Sequence, residues 1–212
     1  MSEIARNQEI PFFEWLPPET KGFKEIKPKD GTTFQDSQKF WDSYFNSQIN
    51  EKEHDCLSTY DERLRQTPRE DANRGHWDGA RGESNFVLTD PEIQKHSKIG
   101  RIPYKNAIPD FSKESKAIVE INMTENRAKN FKQADEKCAE QWNKETHDGK
   151  NDWTPRDVAL WRKGNEHLWH ERNDRKTCDL IPKQVHDSCG HLGGVSECKK
   201  RDASNNGGNF DE

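Results

Sequence analysis

Apolar positions along the chain are sparse, and where they recur with a period they predict a small number of elements. In "DSQKFWDSYFNSQIN", Phe40, Trp41, Phe45 and Ile49 fall at helical spacing and predict one amphipathic helix. "SNFVL" (84–88), "IPYKNA" (102–107) and "KAIVEINM" (116–123) read as short strands, the last alternating polar and apolar positions as a half-buried strand does. "TENRAKNFKQADEKCAEQWNKE" (124–145) predicts a long helix with Thr124 as its cap and Phe131, Ala134, Cys138 and Trp142 as its stripe. The turn-rich stretch 61–83 reads as loop, and "THDGKNDWTP" breaks the long helix. Beyond the break, Leu168 to His170 and Cys178 to Ile181 read as two strands joined by "RNDRK", and a short helix starts at Lys183 and closes at Gly190. The order of elements predicts an α+β fold: a small, loop-rich domain.

Composition modifies this picture in one respect. Leu, Ile, Val and Phe together make up about a sixth of the 212 residues, below the ~20% level that warns of disorder. The large net charge that accompanies disorder is missing, since 34 basic and 39 acidic residues leave −5, and seven Trp and ten Phe supply material for a core. A small core wrapped in long loops is the expectation. No run of 18 apolar residues occurs, and "MSEIARNQEIPFFEWLPPET" lacks a basic region followed by an apolar one, so neither a membrane span nor ordinary secretory export is expected. Cys56, Cys138, Cys178, Cys189 and Cys198 are odd in number and show no C-x-x-C pair, which reads as reduced thiols. The polar end "DASNNGGNFDE" is expected to fray.

Charge is uneven. Between Arg156 and Arg201, ten Lys or Arg face seven Asp or Glu, so a segment of net +3 sits in an otherwise acidic chain. The same segment, "HLWHERNDRKTCDLIPKQVHDSCGHLGG", holds four of the eight histidines. Imidazoles and a carboxylate are what phosphodiester hydrolysis asks for, since a divalent cation must neutralise the phosphate and a base must take a proton from water. His170, Glu171, His186 and His191 are the candidate set, and His167 reads as a bystander. His186 and His191 are five apart, about 140° around an unbroken helix, so Gly190 must distort the chain if they are to share an ion.

The stretch "LWHERND…CDLIPKQVHDSCGHLGGVSE" resembles the signature of HNH/endonuclease VII superfamily nuclease domains in bacterial polymorphic toxins, in particular the branch with a Trp-His-His motif, here Trp-His-Glu. Colicin-type DNases carry a related arrangement. The blocks "YDERLRQTP", "WDGARGES", "IPYKNAIPDFS" and "NRAKNFKQAD" resemble stretches upstream of that motif, so the likeness covers roughly residues 60–200. It implies a ββα-metal finger at about 166–195, inside a nuclease domain at 59–201, flanked by an extension at 1–58 and a tail at 202–212. It implies one divalent ion (Mg2+, Mn2+ or Zn2+) and hydrolysis of nucleic acid, DNA favoured over RNA. It also implies delivery as part of a larger exported protein, action in the target-cell cytoplasm, and a cognate immunity protein as partner. His186 and His191 fall at ligand positions of the helix. His170 falls where the strand ligand sits, and Glu171 where most relatives carry the histidine that acts as base. Chemistry favours the opposite assignment, because imidazole suits proton transfer at neutral pH and carboxylate suits hard cations. Both assignments stay open at this point. Trp169 is expected to pack the finger, Pro182 to end its second strand, and Gly193 and Gly194 to approach a phosphate or form a turn. Arg172, Arg175, Lys176 and Lys183 are candidate phosphate contacts. Two rival readings are a structural zinc module built on Cys178, Cys189, His191 and Cys198, and a catalytically inactive relative.

Overall fold

The computed structural model describes residues 56–206, so the helix expected around Phe40 to Ile49 lies outside the described residues. The first part of this region builds an antiparallel sheet from β1 (Gly75–Trp77), β2 (Asn85–Leu88), β3 (Arg101–Lys105) and β4 (Ile108–Pro109), in the order β1-β2-β3-β4. A short helix α1 (Tyr60–Gln66) precedes it, and the single turn α2 (Pro91–Gln94) links β2 to β3. The second part runs β5 (Ile118–Glu120), α3 (Arg127–Glu145), a 3-10 turn, α4 (Pro155–Gly164), β6 (His167–Glu171), β7 (Thr177–Pro182), α5 (Lys183–Ser188) and α6 (Gly194–Asn206). Its three strands pair antiparallel in the order β5-β7-β6. The fold is α+β, as the sequence pattern implied.

β7 lies between two partners in its sheet and is buried along its whole length, and alternation along the β6–β7 ribbon divides the protein into two cores. Trp169, Cys178 and Leu180 face a core with Ala134, Cys138, Trp142 and Val158 of α3 and α4. Ile181 faces a second core with Phe86, Leu88, Ile102, Tyr104 and Phe111, against which Leu168 packs. The ribbon is therefore a wall between two apolar clusters, and the residues at its open end can face either way.

Polar groups tie the pieces together. Buried Asp135 of α3 accepts from Trp169 Nε1 at 2.9 Å and from Arg162 of α4 at 2.8 and 3.1 Å. Buried Glu197 of α6 accepts from the amides of Leu57 and Ser58, from the Ser58 hydroxyl and from Asn173, which fastens the start of the described chain to its last helix.

Three sequence expectations need correcting, and one helix was not anticipated. α3 begins at Arg127, capped by Asn126, whose side chain accepts from the Lys129 amide; Thr124 sits outside and bonds Asn130 instead. The supposed loop at 61–83 contains α1 and β1. α1 escaped detection because its buried residue is Arg63, not an apolar one, so hydrophobic periodicity is blank there. α4 was missed although Thr154 and Asp157 form a reciprocal capping box with Pro155 in the first turn. Finally, α6 continues through Asn206, into the stretch expected to fray.

Candidate metal centre

Three imidazoles converge at the open end of the ribbon. Among the described residues, His170, His186 and His191 form the one group of three or more potential ligands whose donor atoms all lie within 4.8 Å of one another. Their ring centroids stand 5.7 Å (His170 to His186), 4.7 Å (His170 to His191) and 5.0 Å (His186 to His191) apart. β6 delivers His170, α5 delivers His186, and the chain leaving α5 delivers His191.

The five-residue spacing works because α5 stops at Ser188. Cys189 leaves the helix at φ −112° and ψ 76°, and the following loop brings His191 back over the helix end. Gly190 is required there for closeness rather than for an unusual φ. A Cβ at this position would stand 2.4 Å from the Gln66 carbonyl at the end of α1. The Tyr104 hydroxyl donates to the Gly190 carbonyl at 3.1 Å and holds the same turn from the other sheet.

Phe111, fully buried just after β4, touches all three rings, with centroids 4.7 Å from His170, 6.0 Å from His186 and 5.8 Å from His191. It forms an apolar back wall that limits the ways the imidazoles can turn. Nothing in the sequence assigned it a part in the site; its place in "IPYKNAIPDFS", one of the blocks that carried the upstream resemblance, was the available hint.

Hydrogen bonding leaves the right nitrogens free. His191 Nδ1 lies 2.7 Å from the Cys189 carbonyl, and a carbonyl only accepts, so Nδ1 carries the proton and Nε2 keeps a lone pair. His186 Nδ1 faces Asp187 Oδ1 at 3.3 Å, which leaves its Nε2 free in the same way. His170 is more unusual: it is 1% exposed, and neither ring nitrogen has a hydrogen-bond partner. An unpaired buried imidazole is costly, and a cation shared with its neighbours would satisfy it. Burial holds all three below the usual histidine pKa, His191 to about 4, with mutual repulsion lowering His170 and His191 further. At neutral pH the three are uncharged, the protonation state that binds metal.

Glu171 is absent from this group. It follows His170 in β6, so its side chain leaves the opposite face of the strand, toward α3. There Asn130 Nδ2 donates to it at 2.8 Å and Arg127 Nε at 3.0 Å. Burial raises the Glu171 pKa, and these two partners oppose the rise. Glu171 thus stands outside the group that His186 and His191 form, and His170, the ligand in the other assignment left open by the sequence, stands inside it. Arg127 was not foreseen. Its guanidinium is two-thirds exposed while its partner is buried, and its charge contributes to the lowering at each of the three histidines.

The four cationic candidates are scattered. Arg172 is clamped to buried Asp179 through two bonds of 2.6 Å, with Ser115 Oγ donating to the same carboxylate at 3.1 Å. Lys183 pairs with Asp187 one turn along α5. Lys176 is exposed, with Glu120 3.7 Å away across the sheet, and Arg175 occupies the ribbon turn at φ 61°. Trp169 packs the first core and Pro182 ends β7, as expected. Gly193 and Gly194 have a packing role that the sequence did not suggest. A Cβ at Gly194 would stand 2.3 Å from the Arg172 carbonyl and 2.5 Å from Met123 Sδ, and one at Gly193 would stand 3.2 Å from the Glu171 carbonyl, so both let the chain pack on the end of β6. The rival zinc set is not assembled: Cys178 and Cys198 lie in one core and Cys189 in the other, and none of the five cysteines is in a disulfide.

Fold and site together define an α+β domain whose strand-strand-helix unit presents a three-histidine centre. Residues 101–193 match the family model of the DNase/tRNase domain of colicin-like bacteriocins, which supports a bacteriocin-type nuclease domain over a stretch that includes the whole trio and Phe111. No curated protein matches the chain. No helix among the described residues is long and apolar enough to cross a membrane.

Proposed function

We propose that the protein is a metal-dependent endonuclease of the HNH type, acting as an antibacterial toxin on nucleic acid, with DNA as the favoured substrate. The observation that carries this reading is the trio itself: three neutral imidazoles from β6, α5 and the following loop, one wholly buried with both nitrogens unpaired. In this reading His170, His186 and His191 hold the ion, with His170 as ligand and not as base. Held by these three residues, a divalent ion would supply charge neutralisation at the phosphate and a more acidic water. The residues do the rest. Phe111 and the backbone bond from His191 fix the ligand geometry. Glu171, turned away from the trio, anchors Arg127, whose exposed guanidinium meets a phosphate oxygen beside the ion. The bacteriocin likeness supports extending this reading to export as part of a larger toxin and neutralisation by an immunity protein.

The test is incubation of the purified protein with plasmid DNA and with RNA in Mg2+, Mn2+, Zn2+ or EDTA. Cleavage that needs a metal and is lost in His191→Ala is the expected result. A folded protein that cuts neither polymer with any of the metals overturns the reading, and the preferred polymer is read from the same assay.

A further inference from the structure

A second feature lies on the finger, away from the trio. A cleft of about 550 Å3 opens where α4 runs into β6 and β7 runs into α5; Arg156, Leu160, Lys163, His167 and Lys183 are in its lining, together with one acidic residue, Glu166, which accepts from Gln184 at 2.8 Å. Arg156 and Lys163 are two turns apart on α4, roughly 10 Å along the axis. Neither side chain makes a hydrogen bond or ion pair among the described residues. Lys116, exposed and also unpaired, enters β5 nearby, and Lys98 lies close to it. Burial first, and then the charges of Lys116 and Lys98, hold His167 below its usual pKa. Arg156 and Lys163, both unpaired, and Lys183, paired with Asp187, thus outweigh Glu166 along a cleft in a protein of net charge −5. Like charges held together repel unless an anion joins them. One residue of its lining, Lys183, lies three positions before His186 on α5.

We propose that this cleft is a binding track for the sugar-phosphate backbone of nucleic acid, taking phosphates that flank the one cleaved at the histidine trio. The proposal rests on the nuclease reading and extends it from a reaction centre to a substrate path. The cations recognise the polymer through its regular negative charge, not its base sequence.

Binding is measured with the full chain in EDTA, so that cleavage does not enter, using a fluorescent DNA duplex and a fluorescent single-stranded RNA over a series of salt concentrations. The comparison is wild type against Arg156→Ala/Lys163→Ala and against the triple variant with Lys116→Ala. These positions are on the surface, and an unchanged circular dichroism spectrum and unchanged Zn2+ affinity certify the fold and the trio. The expected result is a loss of affinity of about tenfold or more, with the slope of log K against log salt falling by about 0.9 for each duplex phosphate contact removed. Equal affinity and equal slope in the folded variants overturn the track and leave the nuclease reading standing. Wild-type protein that binds neither polymer, and cuts neither when metal is restored, overturns both. Variants that keep nucleic-acid affinity but lose binding to an acidic protein mark the cleft as a protein-docking surface and overturn the proposal.

Discussion

At the residue scale, adjacent positions on one strand do different work. His170 stands in the trio and Glu171 faces α3, so alternation along β6 sets the carboxylate that chemical preference gave to the metal apart from the three imidazoles. That alternation was legible in the sequence; the identity of the face that would carry the ion was not, because nothing local tells a strand which of two cores it will meet. The consequence is testable. If Glu171 works by holding Arg127, then Glu171→Gln and Arg127→Ala each lower kcat/KM by roughly 10- to 100-fold, and the double variant is no worse than the poorer single one. If Glu171 is instead the proton acceptor, Glu171→Gln costs far more than Arg127→Ala and the pH profile loses its acidic limb. Zn2+ affinity, measured by titration calorimetry, stays near wild type in both variants and collapses in His170→Ala.

At the element scale, the finger is the part of the fold that the sequence displayed best. Strong local signals define it: apolar strand pairs, a turn, Pro182 closing β7, and a glycine after α5. The parts that stayed hidden are those whose inward face is polar. α1 buries Arg63, which donates to the Asn106 carbonyl at 2.9 Å and to the Ser58 carbonyl, so no hydrophobic stripe announces it. Phe111 was invisible for a related reason, since its neighbours are brought from β6 and α5, more than fifty residues away. The glycines belong to this scale too, because they set the distance between elements. Gly190→Ala drives a Cβ against the α1 terminus, and Gly194→Ala drives one between the Arg172 carbonyl and Met123. Each substitution is expected to cost about 1–3 kcal/mol of stability in chemical denaturation, the usual price of overpacking. Gly190→Ala has the further effect of displacing His191, so Zn2+ affinity falls with it, whereas Gly164→Ala, where a Cβ meets open space, leaves both stability and Zn2+ affinity near wild type.

At the scale of the whole molecule, the histidine centre makes folding depend on pH. His170, His186 and His191 have folded pKa values below the ordinary one, burial being the first cause in each, so the native state resists protonating them. Above pH ~6.5 both states are neutral at these positions and no difference arises. As pH falls through ~6.5 the unfolded chain takes up protons that the folded one refuses, and stability declines. The decline from His191 ends below about 4, where its folded form also protonates. Each such proton contributes a slope of at most ~1.4 kcal/mol per pH unit in that window. Carboxylates held low, such as Glu62 beside Lys200, act in the same direction but at more acidic pH, so the window between 6.5 and 4.5 belongs mainly to the histidines. Urea denaturation in EDTA at half-unit pH steps should therefore show metal-free stability falling across that window, and the fall should be shallower in His191→Gln. Zn2+ should raise stability at pH 7 and do progressively less as the pH drops, because protons and the ion compete for the same nitrogens. A wild-type curve that is flat from pH 6.5 to 4.5 would contradict the burial of the trio, and with it the claim that the fold keeps these three imidazoles neutral for a metal.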